Sequence, residues 1–233
     1  MALYDVGMSS MVAMELEALS DLADLLNKTE DAALMRQRLA ALKALVSEHL
    51  WDNETGVFVN KFTKNATFYR RISPTSFYPM LAGIATEAQA ERMMGVLTSP
   101  EHFAVSEDGA GNTDSAFWPL PSIAVSDPAF PALGYWRGFI WGPQIQLTYW
   151  ALQHPAYANV AAVQSAKKAF AAHSNEMFVS VWRGWHHVCE NYSPHRYAAG
   201  GNTTTTSKCT GDQTYHWGGL SGFVQILEAG LYY

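Results

Sequence analysis

The sequence predicts an all-α chain, an incomplete (α/α)6 toroid of about seven helices with long rim loops and a small β-hairpin. Three observations carry this. Apolar residues recur with a helical period in pairs of neighbouring segments. Long stretches rich in Gly, Pro, Ser and Asp separate the pairs. No βαβ alternation and no short repeat occurs. A complete toroid of six helix pairs needs about twelve helices, so residues 1–233 are expected to form part of one such domain.

The elements follow in order. Met8, Met11, Val12, Leu19, Leu22 and Leu26 recur at helical spacing, with Glu15, Glu17, Asp21 and Asp24 between them. A second helix restarts at Thr29 or Glu30 and places Leu34, Leu39, Leu42, Val46 and Leu50 on one stripe. The short polar turn between the two makes a helical hairpin. Trp51–Gly56 reads as a turn, and Val57–Phe62 with Phe68–Ile72 as a β-hairpin. Pro74–Ile84 and Glu87–Leu97 are apolar helical segments. Residues 98–133 form a long irregular stretch, of the kind that carries function in a compact domain. Pro143 opens a helix to about His154, since its missing N–H is no loss in a first turn. An Ala-rich helix spans Asn159–Phe178. A loop follows over Val181–Asp212, and the last helix runs from about Trp217 to Tyr232.

Composition narrows the function. The chain has 233 residues, 15% charged and 13% aromatic, which fits a compact enzyme-like body rather than a disordered or coiled-coil chain. A net charge of −6 without any Lys/Arg run argues against nucleic acid. No apolar stretch reaches bilayer length, and Met1–Asp5 reads as neither a signal nor a transit peptide. Five of nine Asn (Asn27, Asn53, Asn65, Asn191 and Asn202) open Asn-X-Ser/Thr sequons, which favours the secretory pathway or the endoplasmic reticulum lumen. There Cys189 and Cys209, the only two cysteines, are expected to form a disulfide; in a reducing compartment they are ordinary small apolar residues.

Two aromatic clusters are candidate sites. The first, YWRGFIW, holds Tyr135, Trp136, Arg137 and Trp141. Flat aromatic faces beside a guanidinium suit a ligand that is apolar on its ring faces and hydroxylated at its edges, as a sugar is. Each aromatic alone has a competing role in the core, but Arg is seldom buried without a partner. The second cluster runs from Trp182 to Tyr192 and is followed by Tyr215-His216-Trp217-Gly218-Gly219. Glu190, in this aromatic and charge-poor stretch, is a candidate general base, with a capping or surface role as the competitor. Asp108 and Asp114 are candidate acids that compete with a role in turns. His186, His187 and His216 lack a metal-ligand spacing, so no metal is expected, and no cofactor motif occurs.

These residues resemble glycoside hydrolase family 63, which contains processing α-glucosidases and mannosylglycerate hydrolase-like enzymes. The likeness rests on YWRGFIW, on Glu190-Asn191-Tyr192 and on YHWGGL at Tyr215–Leu220. Weaker support comes from Leu3–Leu19 and from Ser73–Gly83. The resemblance implies an (α/α)6 barrel that inverts the anomeric centre of an oligosaccharide or small glycoside. It assigns the base to Glu190 and a sugar-lining role to Tyr135, Trp136 and Arg137. Trp141, Tyr192, His216 and Trp217 are expected to complete the substrate surface. The family's general acid is an Asp in a segment before the stretch that matches Leu3–Leu19, and neither Asp5 nor Asp114 stands in a motif that replaces it. Residues 1–233 are accordingly expected to be the C-terminal part of the catalytic domain and inactive alone. The rival readings are a non-catalytic carbohydrate-binding remnant and a trehalase- or glucoamylase-like toroid with its base in another motif.

Overall fold

The computed structural model describes residues 2–103, 117–195, 209–213 (backbone only) and 215–231. Among them the chain forms six α-helices and one long 3-10 helix, together with three small antiparallel sheets. This is the mostly helical architecture expected.

Helix α1 (Val6–Leu25) and helix α2 (Thr29–Leu50) form the first hairpin. Asp5 caps α1: its side chain accepts from Met8 N at 2.7 Å. The helix therefore starts before Met8, and Asp5 is spent on a structural task. Asn60 Oδ1 takes the next orphan donor, Val6 N, at 2.8 Å. The buried face of α1 is made of small residues (Gly7, Ser10, Ala13, Ser20 and Ala23), which lets its neighbours come close.

Strand β1 (Leu3–Tyr4) pairs with β4 (Asn60–Phe62), which pairs with β5 (Phe68–Tyr69); β2 (Trp51–Asp52) pairs with β3 (Val57–Phe58). The expected hairpin thus exists as β4–β5, but Val57–Phe62 is divided between two sheets because Val59 N bonds back to Leu50 O. Asp52 is the buried anchor here. Its carboxylate accepts from Arg70 Nε at 2.7 Å and from Thr55 Oγ1 and Glu54 N. Burial works to raise the pKa of Asp52, but these donors outweigh it and hold the pKa below the usual carboxylate value.

Pro74–Ala82 is a largely buried helical segment, as the apolar spacing predicts, and the helix is of the 3-10 type. Pro79 lies inside it, lacks an N–H, and disfavours the α-helical ladder. Gly83 ends it in the left-handed region, with φ +61°. Helix α3 (Glu87–Thr98) opens with a complete Thr86–Gln89 capping box. The described part of the long loop is largely buried and pinned by backbone bonds: Trp118 N to Pro194 O at 2.7 Å, Leu120 N to Phe103 O at 3.1 Å and Ala124 N to Ile72 O at 2.9 Å.

Helix α4 (Gly142–Gln153) packs against the 3-10 segment, helix α5 (Ala161–Trp185) and helix α6 (Leu220–Glu228). Helix α5 continues past Phe178 to Trp185, so Trp182, Arg183 and Gly184 belong to a helix end and not to a loop. The region after it is a strand pair, β6 (Cys189–Tyr192) with β7 (Cys209–Gln213). Gly218 N bonds to Tyr215 O in a 3-10 turn over His216–Gly219, and this turn delays α6 to Leu220.

Three backbones converge beside α4. Ile140 and Tyr192 exchange both backbone bonds at 2.9 Å. A Cβ on Gly142 would overlap the carbonyl of Trp217, and one on Gly218 the carbonyl of Cys189. Gly142→Ala or Gly218→Ala should each destabilise the fold by about 2–3 kcal/mol or more through overpacking, readable as a lower urea midpoint. A second expectation concerns pH. The folded-state pKa of Asp52 is depressed, so its contribution is present above the unfolded carboxylate value and is lost as pH falls through the folded one. Asp52→Ala should therefore lower stability at pH 7 by about 1–3 kcal/mol, with a gap to the parent that closes in acid.

Candidate functional site

The chain brings its two aromatic clusters together at Glu190. This residue is only 9% exposed. It stands where the β6–β7 register shifts between Cys189 and Asn191, an irregularity of the kind that re-aims a side chain. The Tyr135 hydroxyl donates to its Oε1. Trp217 Nε1 donates to its main-chain oxygen at 3.2 Å. Residues 55 and 27 positions away in sequence thereby converge on one carboxyl-bearing residue.

Local geometry explains how Tyr135 is presented. Gly134–Arg137 is a tight turn closed by Arg137 N to Gly134 O at 2.8 Å. The guanidinium of Arg137 lies over Gly134, where a Cβ would sit 2.8 Å from Nη2. Trp141 supports the turn from beneath, its Nε1 donating to Tyr135 O at 3.0 Å. The Trp136 indole stacks on Trp141 at 3.8 Å between centroids with 13° between planes. Tyr135 stands edge-on to Trp141 at 4.6 Å, and Trp217 does so at 5.9 Å. Such edge-to-face and stacked pairs each add stability beyond area burial.

Burial divides the expected substrate surface in two. Tyr135 and Trp136 are each 49% exposed, Arg137 and His216 are exposed, and Trp217 is half-buried. Trp141 and Tyr192 are fully buried and present no face to a ligand, so their expected contact with sugar is corrected to a supporting role. Tyr192 donates its hydroxyl to Gly218 O at 2.9 Å, and burial pushes its phenol pKa upward. Tyr215, which the sequence offered only as part of a motif and without a role of its own, packs on Trp217 at 4.7 Å and on His216 at 5.8 Å. Its place at the head of the YHWGGL motif was the available signal.

The remaining candidates resolve as follows. His186 caps α5 in the left-handed region, its N bonding to Trp182 O at 2.8 Å, and His187 Nδ1 lies 2.8 Å from Trp185 O. Among the described residues no three metal-ligating side chains cluster. Asp108, Asp114 and Asn202 lie outside the described residues, as does the side chain of Cys209. Cys189 is fully buried and disulfide-bonded. Asn191 is fully buried in β6, which withdraws it from the sequons open to glycosylation. Among the described residues no helix is long and apolar enough to cross a membrane.

Comparison with known proteins agrees with this architecture. The family described as the mannosylglycerate hydrolase MGH1-like glycoside hydrolase domain matches residues 1–217. A glycoside hydrolase family 63 mannosylglycerate hydrolase from Thermus thermophilus, solved with Tris, superposes with a TM-score of 0.68 at 18% identity, covering 97% of this chain and 45% of that one. Neutral trehalase from Saccharomyces cerevisiae superposes with a TM-score of 0.62 at 16% identity, covering 97% of this chain and 38% of that one. At such identities the likeness is one of fold: both neighbours are α/α toroid glycosidases. A protein of Borreliella burgdorferi is 24% identical over 196 residues, 83% of this chain and 38% of its own length. The chain thus spans less than half the length of these relatives. With the match running over residues 1–217, the chain belongs to the mannosylglycerate hydrolase MGH1-like glycoside hydrolase domain family.

Proposed function

We propose that the chain carries the base side of an inverting glycosidase site, with Glu190 as general base and a small glycoside or oligosaccharide as substrate. The observation that supports this is the contact of the Tyr135 hydroxyl with the Glu190 carboxylate, which ties the aromatic cluster to the acidic residue. Inverting hydrolysis places a carboxylate across the sugar ring, where it takes a proton from the attacking water; a second carboxyl protonates the leaving oxygen, roughly 6.5–9.5 Å away. Glu190 fits the first role: it is largely buried and held by a phenol donor. Trp136 and Arg137 offer an exposed ring face and an exposed cation for the sugar, with Tyr135, His216 and Trp217 beside them. The relatives named for mannosylglycerate and trehalose motivate small α-glycosides as the substrate class. The acid is the missing partner in this proposal. Asp5 is occupied as a helix cap. These residues on their own are proposed to bind sugar weakly and not to hydrolyse it.

The disulfide belongs to the same proposal. Cys189 precedes Glu190, and Cys209 is the only other cysteine and pairs by backbone with Tyr192. A Cys189–Cys209 link closes the loop that follows the base and contributes about 3 kcal/mol by chain entropy. Reducing agent and Cys189→Ser should lower stability to a similar extent, and reduction of Cys189→Ser should add nothing further.

The purified chain, assayed with α-glucosides, mannosylglycerate and glucosylglycerate, should show no turnover above background. Turnover that survives Glu190→Gln would overturn the assignment of the base, whereas turnover abolished by it would overturn only the absence of an acid. Trp136→Ala should weaken sugar binding by about three- to tenfold, the worth of one aromatic face. Trp141→Ala should instead destabilise the fold by about 3–5 kcal/mol, as removal of a buried Trp does.

A further inference from the structure

Helix α5 ends in two uncovered indoles. Trp182 is 45% exposed and Trp185 41%. Before Trp182 the exposed residues of the helix are Ala161, Ala162, Ser165, Lys168 and Glu176, all small or charged. The exposed aromatic surface is therefore confined to the last turn, whereas a seam for another helix runs along a whole element. Packing explains the position. Lys167 pairs with Glu228 at the end of α6, and Gly222 near its start lies against the Phe178 ring, where a Cβ would sit 2.7 Å from Cδ1. The two helices are thus antiparallel. Seven residues of α5 follow Phe178, about 10 Å of helix, and α6 has only two residues before Gly222 to lie beside them. The last turn of α5 runs past the start of its neighbour and leaves both indoles bare.

The same segment leads directly to Glu190. His186 ends α5, and His187, Val188 and Cys189 alone separate it from Glu190. His187 stands edge-on to Trp185 at 6.1 Å, with its Nδ1 2.8 Å from Trp185 O, which restrains that indole. Val188 Cγ1 lies 2.9 Å from where a Cβ on Gly218 would sit, beside Trp217. The surface that carries Glu190 and Trp217 thus continues along the backbone to Trp185 and Trp182. Residues three apart on a helix are neighbours, so the two indoles can meet successive rings of one sugar chain. They are attached about 60° apart around the helix axis, on a curved support. α-Linked hexose chains coil and β-1,4-linked chains are flat, so a curved pair suits the former. We propose that Trp182 and Trp185 form a second carbohydrate-binding surface, remote from the reacting bond, for an α-linked hexose oligosaccharide. The proposal rests on the carbohydrate reading of the Glu190 site and extends it to a chain of several sugars.

The test follows the whole 233-residue chain through native gels that hold a soluble α-glucan or α-mannan, with a soluble β-1,4-glucan as the flat control. Circular dichroism checks that every variant is folded. At least one α-linked polymer should retard the parent. Trp182→Ala with Trp185→Ala should raise the dissociation constant about tenfold or more, the worth of two aromatic faces. The same two positions changed to Phe should recover most of the retardation, because a ring face returns. Trp136→Ala and Glu190→Gln, which act on the other site, should leave most of it. No retardation of the parent, equal retardation by the β-1,4-glucan, or retardation unchanged in the double Ala variant overturns the proposal. Retardation lost in Trp136→Ala and kept in the double Ala variant also overturns it, and leaves the reading of the Glu190 site standing. Loss in the double Ala variant alone supports this surface whatever becomes of Glu190 as the base. Light scattering that shows a dimer dissolved by the double Ala variant overturns the proposal as well, because the indoles then meet a second copy.

Discussion

The close approach of three backbones at Gly142 and Gly218 is the constraint on which the site depends. Trp217's carbonyl lies against Gly142 and Cys189's against Gly218, with no space for a Cβ at either place. Around this point the Ile140–Tyr192 exchange joins the aromatic turn to β6, and the Tyr192 hydroxyl joins β6 to the 3-10 turn. The three segments carry Tyr135, Glu190 and Trp217. Their mutual placement is thus fixed by main chain and one buried hydroxyl rather than by the mobile ends of side chains, which is the condition for presenting several groups in one fixed geometry.

The helices were largely legible because periodicity is local. Leu39, Val46 and Leu50 are buried on α2 as their spacing required. Boundaries depended on side chains that periodicity ignores: the Asp5 cap moved the start of α1, and Pro79 turned an apolar segment into a 3-10 helix. Trp182–Trp185 extended α5 because an aromatic-rich sequence with one Gly still tolerates a last helical turn. The β6–β7 pair was hidden because Cys-Thr-Gly-Asp-Gln has low strand propensity, and its pairing is supplied by the partner strand.

The site was legible as a set of motifs but not as an arrangement. YWRGFIW, Glu190-Asn191-Tyr192 and YHWGGL are the segments that meet. Which aromatic faces solvent was not readable, because that is decided by the neighbour each ring finds. Trp136 and Trp141 are five residues apart in one motif, yet one is half exposed and the other fully enclosed. The hydroxyl contact of Tyr135 with Glu190 is equally a product of tertiary packing, across 55 positions.

The stacked indoles have a consequence for how a ligand is met. A free tryptophan on a surface samples several rotamers, and a ligand that lands on it must first select one. Trp136 lies on Trp141 at 3.8 Å, and Trp141 is itself locked by its bond to Tyr135 O. Two torsions of the outer ring are therefore restrained before any ligand arrives, and the ordering entropy falls on folding rather than on binding. The outer face of Trp136 is in this sense a fixed platform, and its orientation is inherited from a fully buried neighbour.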